Sequence, residues 1–176
     1  MITITIKNCN VCELSGPAKF TNKLYEMFQI KHPDAWHIMM YSRAKNWDGY
    51  VKYISDYGQF KIGLLNKVYN ECRKMGQKVK IIDNRPSLGV KPVIPTVLGD
   101  KELREVQKEA LEKIVYNKVG DTPFLICASD LAVNFGKTLV FCGLHQAFKR
   151  KLKTVLLLNS ADLFKQFKKE IPELLP

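Results

Sequence analysis

Residues 131–138 read Leu131-Ala132-Val133-Asn134-Phe135-Gly136-Lys137-Thr138, and the meaning of this octet decides the fold around it. Before it, Phe124 to Ala128 is a short apolar run, the pattern of a strand buried in a parallel sheet. After it, Leu139, Val140, Leu144 and Phe148 recur at helical spacing. A Gly-Lys-Thr triplet where a buried strand turns into a helix is the setting of a phosphate-binding loop. There, backbone N–H groups and the helix N-terminus cradle phosphate, a lysine reaches the β- and γ-phosphates, and a threonine hydroxyl ligates Mg²⁺. Lys137 and Thr138 are the candidates for those catalytic roles, Thr138 through the metal. Asn134, Phe135 and Gly136 would line the loop. The usual pattern starts with glycine where this chain has Leu131, and Asn134 can supply a left-handed conformation in its place. A chance Gly-Lys-Thr at a helix start is the plain alternative.

Working outward, Leu103, Val106, Ala110, Leu111, Ile114 and Val115 predict an amphipathic helix upstream of the loop. Gln107 lies on it, and an amide can pair with the donor and acceptor edge of adenine at once. Solvation on the helix surface is the ordinary alternative for such a residue. Downstream, Thr154 to Leu158 predicts a second buried strand. Two parallel strands joined by a helix open an α/β domain.

The front half carries a different pattern: strand, helix, strand, strand, helix, strand. Ile and Thr alternate over 2–7, and Phe20, Leu24, Met27 and Phe28 form a helical stripe after Pro17. Trp36 to Tyr41 and Tyr50 to Ile54 flank Asp48-Gly49, a strong hairpin signal. Leu64, Leu65, Val68, Tyr69 and Cys72 make a second stripe closed by Gly76, and Lys78 to Ile82 a last strand. The expected fold is α+β, a split β-α-β-β-α-β, ferredoxin-like sandwich over 1–83. Pro86, Pro92 and Pro95 predict an extended linker over 84–99, and the α/β lobe occupies 100–176.

Charge separates the halves further. The chain of 176 residues carries a formal +11, of which residues 1–95 hold +8 (15 basic, 7 acidic) and 96–176 hold +3 (13 and 10). An excess on this scale points to a polyanionic partner, with nucleic acid ahead of a membrane surface; a solvated face that aids solubility is the alternative. No run of about 18 apolar residues exists to span a bilayer. The start, Met1-Ile2-Thr3-Ile4-Thr5-Ile6, lacks the basic and apolar regions of a signal peptide, so the cytoplasm is the expected compartment.

Three segments together resemble superfamily 2 helicases. They are Leu103-Arg104-x-x-Gln107, the loop ending Gly136-Lys137-Thr138, and Thr154-Val155-Leu156-Leu157-Leu158-Asn159-Ser160-Ala161-Asp162-Leu163-Phe164-Lys165-Gln166-Phe167. They look like the Q-like motif, motif I and motif Ia. In the front half, Arg43-Ala44-Lys45-Asn46-Trp47-Asp48-Gly49 followed by Gly63-Leu64 and a helix is similar to the N-terminal domain of UvsW-type phage recombination helicases. That family tolerates leucine at the first loop position.

The resemblance implies ATP and Mg²⁺ as cofactors, with Arg104 and Gln107 at the nucleotide, Lys137 on phosphate and Thr138 on magnesium. It implies Asn159, Ser160 and Gln166 near a nucleic-acid backbone, although motif Ia usually begins Pro-Thr where Asn159-Ser160 stands. It implies DNA as the partner, branched or at a duplex/single-strand junction, with recombination or replication proteins nearby, in a bacterial or phage-infected cell. The Asp-Glu pair of motif II and the second motor lobe are not found within residue 176, so the expectation is an N-terminal fragment that binds nucleotide without hydrolysing it. A stand-alone nucleic-acid-binding module and the translocating subunit of a restriction system are the rival readings.

Around Asp48-Gly49, Arg43, Lys45, Trp47 and Lys52 interleave cations with an aromatic ring, a composition suited to phosphate contacts and stacking. The rival view packs Trp47 on the core. Lys149-Arg150-Lys151-Leu152-Lys153 follows a helix end, where the dipole alone accounts for cations. Five cysteines, Cys9, Cys12, Cys72, Cys127 and Cys142, read as reduced thiols. Cys9-x-x-Cys12 has no second pair at zinc spacing, and His32, His37 and His145 suggest no triad.

Overall fold

A computed structural model describes residues 1–41, 47–86, 89–123, 135–148 and 153–175. The chain divides into two compact units: Met1–Pro86 with Val119–Thr122, and Ser87–Lys118 with Pro123–Pro176. The fold is mixed α/β, with a four-stranded sheet in the first unit and helices in both.

Alternation builds the first sheet. In β1 (Ile2–Ile6), Ile2, Ile4 and Ile6 are wholly buried while Thr3 and Thr5 face the other side. Each buried isoleucine contributes about 1.5–3 kcal/mol. The chain then reverses at once: the Asn8 side-chain oxygen accepts the N–H groups of Asn10 and Val11, both at 2.9 Å, and β2 (Val11–Ser15) pairs antiparallel with β1. After α1 (Ala18–Met27), β3 (Gln29–Lys31) and α2 (Ala35–Tyr41), β4 (Tyr50–Lys52) pairs antiparallel with β3. β5 (Gln59–Lys61) joins the outer side of β2. A 3₁₀ turn over Ile62–Leu64 leads into α3 (Leu65–Lys74), and β6 (Val79–Asp83) lies parallel to β1. The sheet order is β5-β2-β1-β6. α3 packs on α1 and β6, burying Leu65, Val68 and Cys72.

Two expectations for this unit are corrected. The order is not that of a split β-α-β-β-α-β sandwich, because 11–15 forms a strand that hairpins directly onto β1, and the last strand runs parallel to the first. Residues Trp36 to Tyr41 are helical, with Ala35 buried and Trp36 exposed. The Asp48-Gly49 turn exists, with Asp48 Oδ1 accepting the Tyr50 N–H at 3.1 Å, but it feeds a strand that pairs with 29–31.

The second unit has β7 (Val97–Leu98) and β8 (Lys101–Glu102) as a small hairpin, then α4 (Glu105–Val115), α5 (Lys137–Ala147) and α6 (Ala161–Leu174). Its core gathers Leu98, Leu103, Leu111, Val140, Cys142 and Leu174, with α5 packed on both α4 and α6. Residues 89–95 of the proline-rich segment carry no helix or strand but are fastened to this core: the Val93 N–H donates to the Ala147 carbonyl at 2.8 Å, and Ile94 packs beside the buried cluster. The strand expected at Phe124 to Ala128 lies outside the described residues. Thr154 to Leu158, expected as a buried strand, is irregular, with Val155 at 80% and Leu157 at 89% exposure. Among the described residues no strand pairs with it.

Burial sets the thiol chemistry. Desolvation pushes the Cys12 and Cys72 thiols up to about 11, and raises Cys142 as well, whereas Cys9 is exposed. The thiolate is the reactive form. Peptide mapping after brief iodoacetamide treatment at pH 8 is therefore expected to find Cys9 alkylated well before Cys12, Cys72 or Cys142; early modification of Cys12 or Cys72 would contradict their burial.

Candidate functional site

In the second unit the start of α4 meets the loop that opens α5. Arg104 is the N-cap of α4 and Gln107 its third residue. Gln107 is 1% exposed, so its amide must find partners within the protein. Its Oε1 accepts the Arg104 backbone N–H at 3.0 Å, and its Nε2 donates to the Phe135 carbonyl at 2.7 Å. Arg104 Nη2 donates to that same carbonyl at 2.5 Å. Two donors from one helix start thus hold one loop carbonyl.

Gly136 follows directly, with φ 86° and ψ 48° in the left-handed region, and caps α5. A Cβ there would lie 2.5 Å from Gln107 Nε2, so the close approach also requires glycine. Lys137 and Thr138 are the first two residues of α5, Lys137 exposed and Thr138 half-buried. The first bond of the helix, from the Val140 N–H to the Gly136 carbonyl, is 3.2 Å long. The N–H groups of Lys137, Thr138 and Leu139 therefore precede the intrahelical ladder and stand at its positive end. An ammonium, a hydroxyl and a turn of N–H donors beside a residue without a Cβ are the donor set a magnesium-bound polyphosphate requires. Asn134 lies outside the described residues.

The other residues singled out in this unit sit at α6. Ser160 is its N-cap, the hydroxyl accepting the Asp162 N–H at 3.3 Å. Asn159 is exposed beside it, in a shallow hollow of about 470 Å³ that Leu156, Leu157 and Phe164 share. Gln166 donates to Glu170 at 2.8 Å along the exposed side of the helix.

In the first unit, Arg43 and Lys45 lie outside the described residues. Trp47 belongs to the turn: its indole N–H donates to the Tyr50 carbonyl at 2.8 Å and its ring meets His32 edge-on at 5.8 Å. Lys52 reaches Asp48 at 3.1 Å and Asp56 at 3.3 Å. The Tyr50 N–H and this ammonium hold the Asp48 carboxyl below its usual range. Both side chains are therefore engaged in holding the turn.

The outer face of α3 carries a basic set outside the candidates named from the sequence. Asn66, Lys67, Asn70, Arg73 and Lys74 line a broad, shallow surface there, with Glu71 the one carboxylate among them. Glu71 takes Lys74 at 2.7 Å, and Lys67 stands 5.7 Å from the Phe28 ring centroid. The signal in the sequence is polar and basic residues three, four and seven apart, a spacing shared with the solvated side of any amphipathic helix. Elsewhere in this unit Arg85 is bound to Asp83 through two nitrogens at 2.9 and 2.7 Å. Among the described residues no group of His, Cys, Asp and Glu can hold a metal ion, and no helix is long and apolar enough to cross a membrane.

No known family profile matches the chain, and no curated protein matches it. Solved structures do. A crystal structure of the UvsW helicase from bacteriophage T4 superposes with a TM-score of 0.69 at 15% identity, over 98% of this chain and 63% of that one. A second crystal structure of T4 UvsW gives 0.65 at 14% identity, over 98% of this chain and 36% of that one. The chain thus spans less than two thirds of the length of the proteins it resembles, and across nearly all of its own length it has a helicase-like fold.

Proposed function

We propose that this chain is the N-terminal part of an ATP-dependent superfamily 2 DNA helicase or branch-migrating translocase. The first unit is its accessory DNA-binding domain and the second the opening of a RecA-like motor lobe. The observation that carries the reading is the loop at Gly136-Lys137-Thr138, left-handed at its glycine and held by the start of α4. The fold likeness supports it independently.

In this reading ATP with Mg²⁺ supplies the phosphoryl chemistry, Lys137 holds the phosphates and Thr138 the metal. The chain's own contribution is binding and orientation, and by itself it does not hydrolyse the nucleotide. DNA, branched or at a junction, is the partner of the whole protein, alongside recombination or replication proteins. Lys67 and Arg73 on α3 offer the phosphate contacts that Lys52, held between Asp48 and Asp56, does not.

The test is a titration of the chain with a fluorescent ADP in Mg²⁺, displaced by unlabelled ATP, in parallel with anisotropy on a DNA junction. Lys137→Ala is expected to weaken nucleotide binding about tenfold or more, by loss of a charge-assisted contact. DNA affinity is expected to stay at the wild-type value and to fall about a hundredfold or more between 50 and 200 mM salt. Undiminished nucleotide binding by Lys137→Ala would remove the phosphate-loop assignment.

A further inference from the structure

The side chains on the outer face of α3 are ordered across the helix as well as along it. An α-helix turns about 100° per residue. Leu65, Val68 and Cys72 mark the buried side. With Asn70 as the middle of the opposite side, Arg73 falls about 60° to one flank and Lys67 about 60° to the other. Asn66 lies about 40° toward the arginine and Lys74 about 40° toward Lys67. All five are exposed. The stripe thus has amides along its middle and a cation on each flank, with Lys67 and Arg73 about 9 Å apart along the axis.

A merely solvated helix face gains from pairs of opposite charge three or four residues apart. Here one carboxylate, Glu71, with its side chain 18% exposed, is taken by Lys74 at 2.7 Å. Neither Lys67 nor Arg73 forms an ion pair among the described residues, so both flanks stay positive. Two positive rows with amides between them match a groove whose walls are phosphate and whose floor is base edges. A helix with its side chains is about 10–12 Å across, and the major groove of B-form DNA is about 12 Å wide. We propose that α3 lies in the major groove of duplex DNA, with Arg73 and Lys67 on the phosphates of opposite strands and Asn66 and Asn70 facing the base edges. Asn70 Nδ2 donates to Asn66 Oδ1 at 3.2 Å, which leaves the Asn66 Nδ2 donors and the Asn70 Oδ1 acceptor for the floor. This rests on the reading of the first unit as a DNA-binding domain and names the groove and the residues it uses.

The experiment measures anisotropy of three short labelled duplexes on titration with the whole chain. One is DNA, one is RNA of the same sequence, and one is DNA with 7-deazapurines, which lack the N7 acceptor of the major groove. Wild type is expected to bind the DNA about tenfold or more tighter than the RNA at equal salt, because the A-form major groove is too deep and narrow to be read. The 7-deaza duplex is expected to bind about fivefold or more weaker than natural DNA. Arg73→Ala and Lys67→Ala are each expected to weaken DNA binding about tenfold and to lower the slope of log affinity against log salt by about 1. The double variant Asn66→Ala, Asn70→Ala is expected to keep the wild-type slope and to bind the two DNA duplexes alike. Glu71→Gln frees Lys74 and is expected to tighten DNA binding about threefold or more, a gain that misfolding cannot imitate. If RNA binds as tightly as DNA and 7-deazapurines change nothing, the groove placement is overturned. Wild-type DNA affinity in both Arg73→Ala and Lys67→Ala would also overturn it. If wild type shows no salt-dependent binding to any duplex, the DNA-binding reading of the first unit itself falls, a result distinct from either of these.

Discussion

Gly136→Ala is expected to weaken nucleotide binding about a hundredfold and to destabilise the second unit by about 2–4 kcal/mol, from strain plus displaced hydrogen bonds. Two independent penalties meet at this position. A residue with a Cβ held at φ 86° loses about 1–2 kcal/mol against glycine. The new carbon would also lie 2.5 Å from Gln107 Nε2, a side-chain end that cannot swing clear without breaking its bonds to the Phe135 carbonyl and the Arg104 N–H. Whichever side yields, the loop loses the carbonyl that α4 holds. Both tryptophans, Trp36 and Trp47, are in the first unit, so their fluorescence follows that unit's unfolding. Circular dichroism follows the helices of both. The expected result is an unchanged fluorescence midpoint in urea with an earlier loss of helical signal. A variant that binds nucleotide as wild type does would show that the glycine is not needed in the left-handed form.

The same residues show how far the sequence could be read. Gly136-Lys137-Thr138 was legible because its chemistry demands particular residue types at fixed spacing, and the structure places the triplet at the head of α5. Ile2-Thr3-Ile4-Thr5-Ile6 was legible because a half-buried strand enforces alternation. Val11 to Ser15 is a strand as well, but the turn before it is built by the Asn8 side chain, in a stretch whose plainest sequence feature is the pair Cys9-x-x-Cys12. Residues 36 to 41 contain aromatic and branched side chains but no strict alternation, and a short apolar run does not separate strand from helix by itself. In the structure the segment is a helix, with Ala35 buried at its start. The chemistry of Gln107 is legible in the sequence, but its burial is a tertiary property. The spacing from Arg104 to Gln107, an N-cap and its third helical residue, was the local signal that the amide would turn back on the chain. For Lys52 the local carboxylates at Asp48 and Asp56 were visible all along, four residues to either side.

Gly58→Ala is expected to lower the stability of the first unit by about 3 kcal/mol or more, a large share of a domain's usual 5–15 kcal/mol. Gly58 joins the turn before β5 to the middle of β2. Its N–H donates to the Ser55 carbonyl at 2.8 Å and its carbonyl accepts the Leu14 N–H at 2.8 Å. With φ at 77°, a Cβ would point at the Leu14 carbonyl oxygen from 2.4 Å. That neighbour is backbone, so no rotamer change relieves the contact, and β2 and the turn must separate. Separation loosens the pairing of Cys12 with Phe60 and Glu13 with Gln59, and wets Phe60, Cys12 and Leu14, all of them now buried. For a unit of this size the shift amounts to about 10–20 °C in melting temperature, read by tryptophan fluorescence. Gly63→Ala is the matched control, because its added carbon meets nothing within 4 Å and its φ is ordinary. It is expected to leave the midpoint within about 3 °C of wild type, since an unstrained surface change stays within ±0.5 kcal/mol. If the two variants melt together, the hairpin strand at 11–15 is not held by β5 in the way described, and the order β5-β2-β1-β6 loses its outer member.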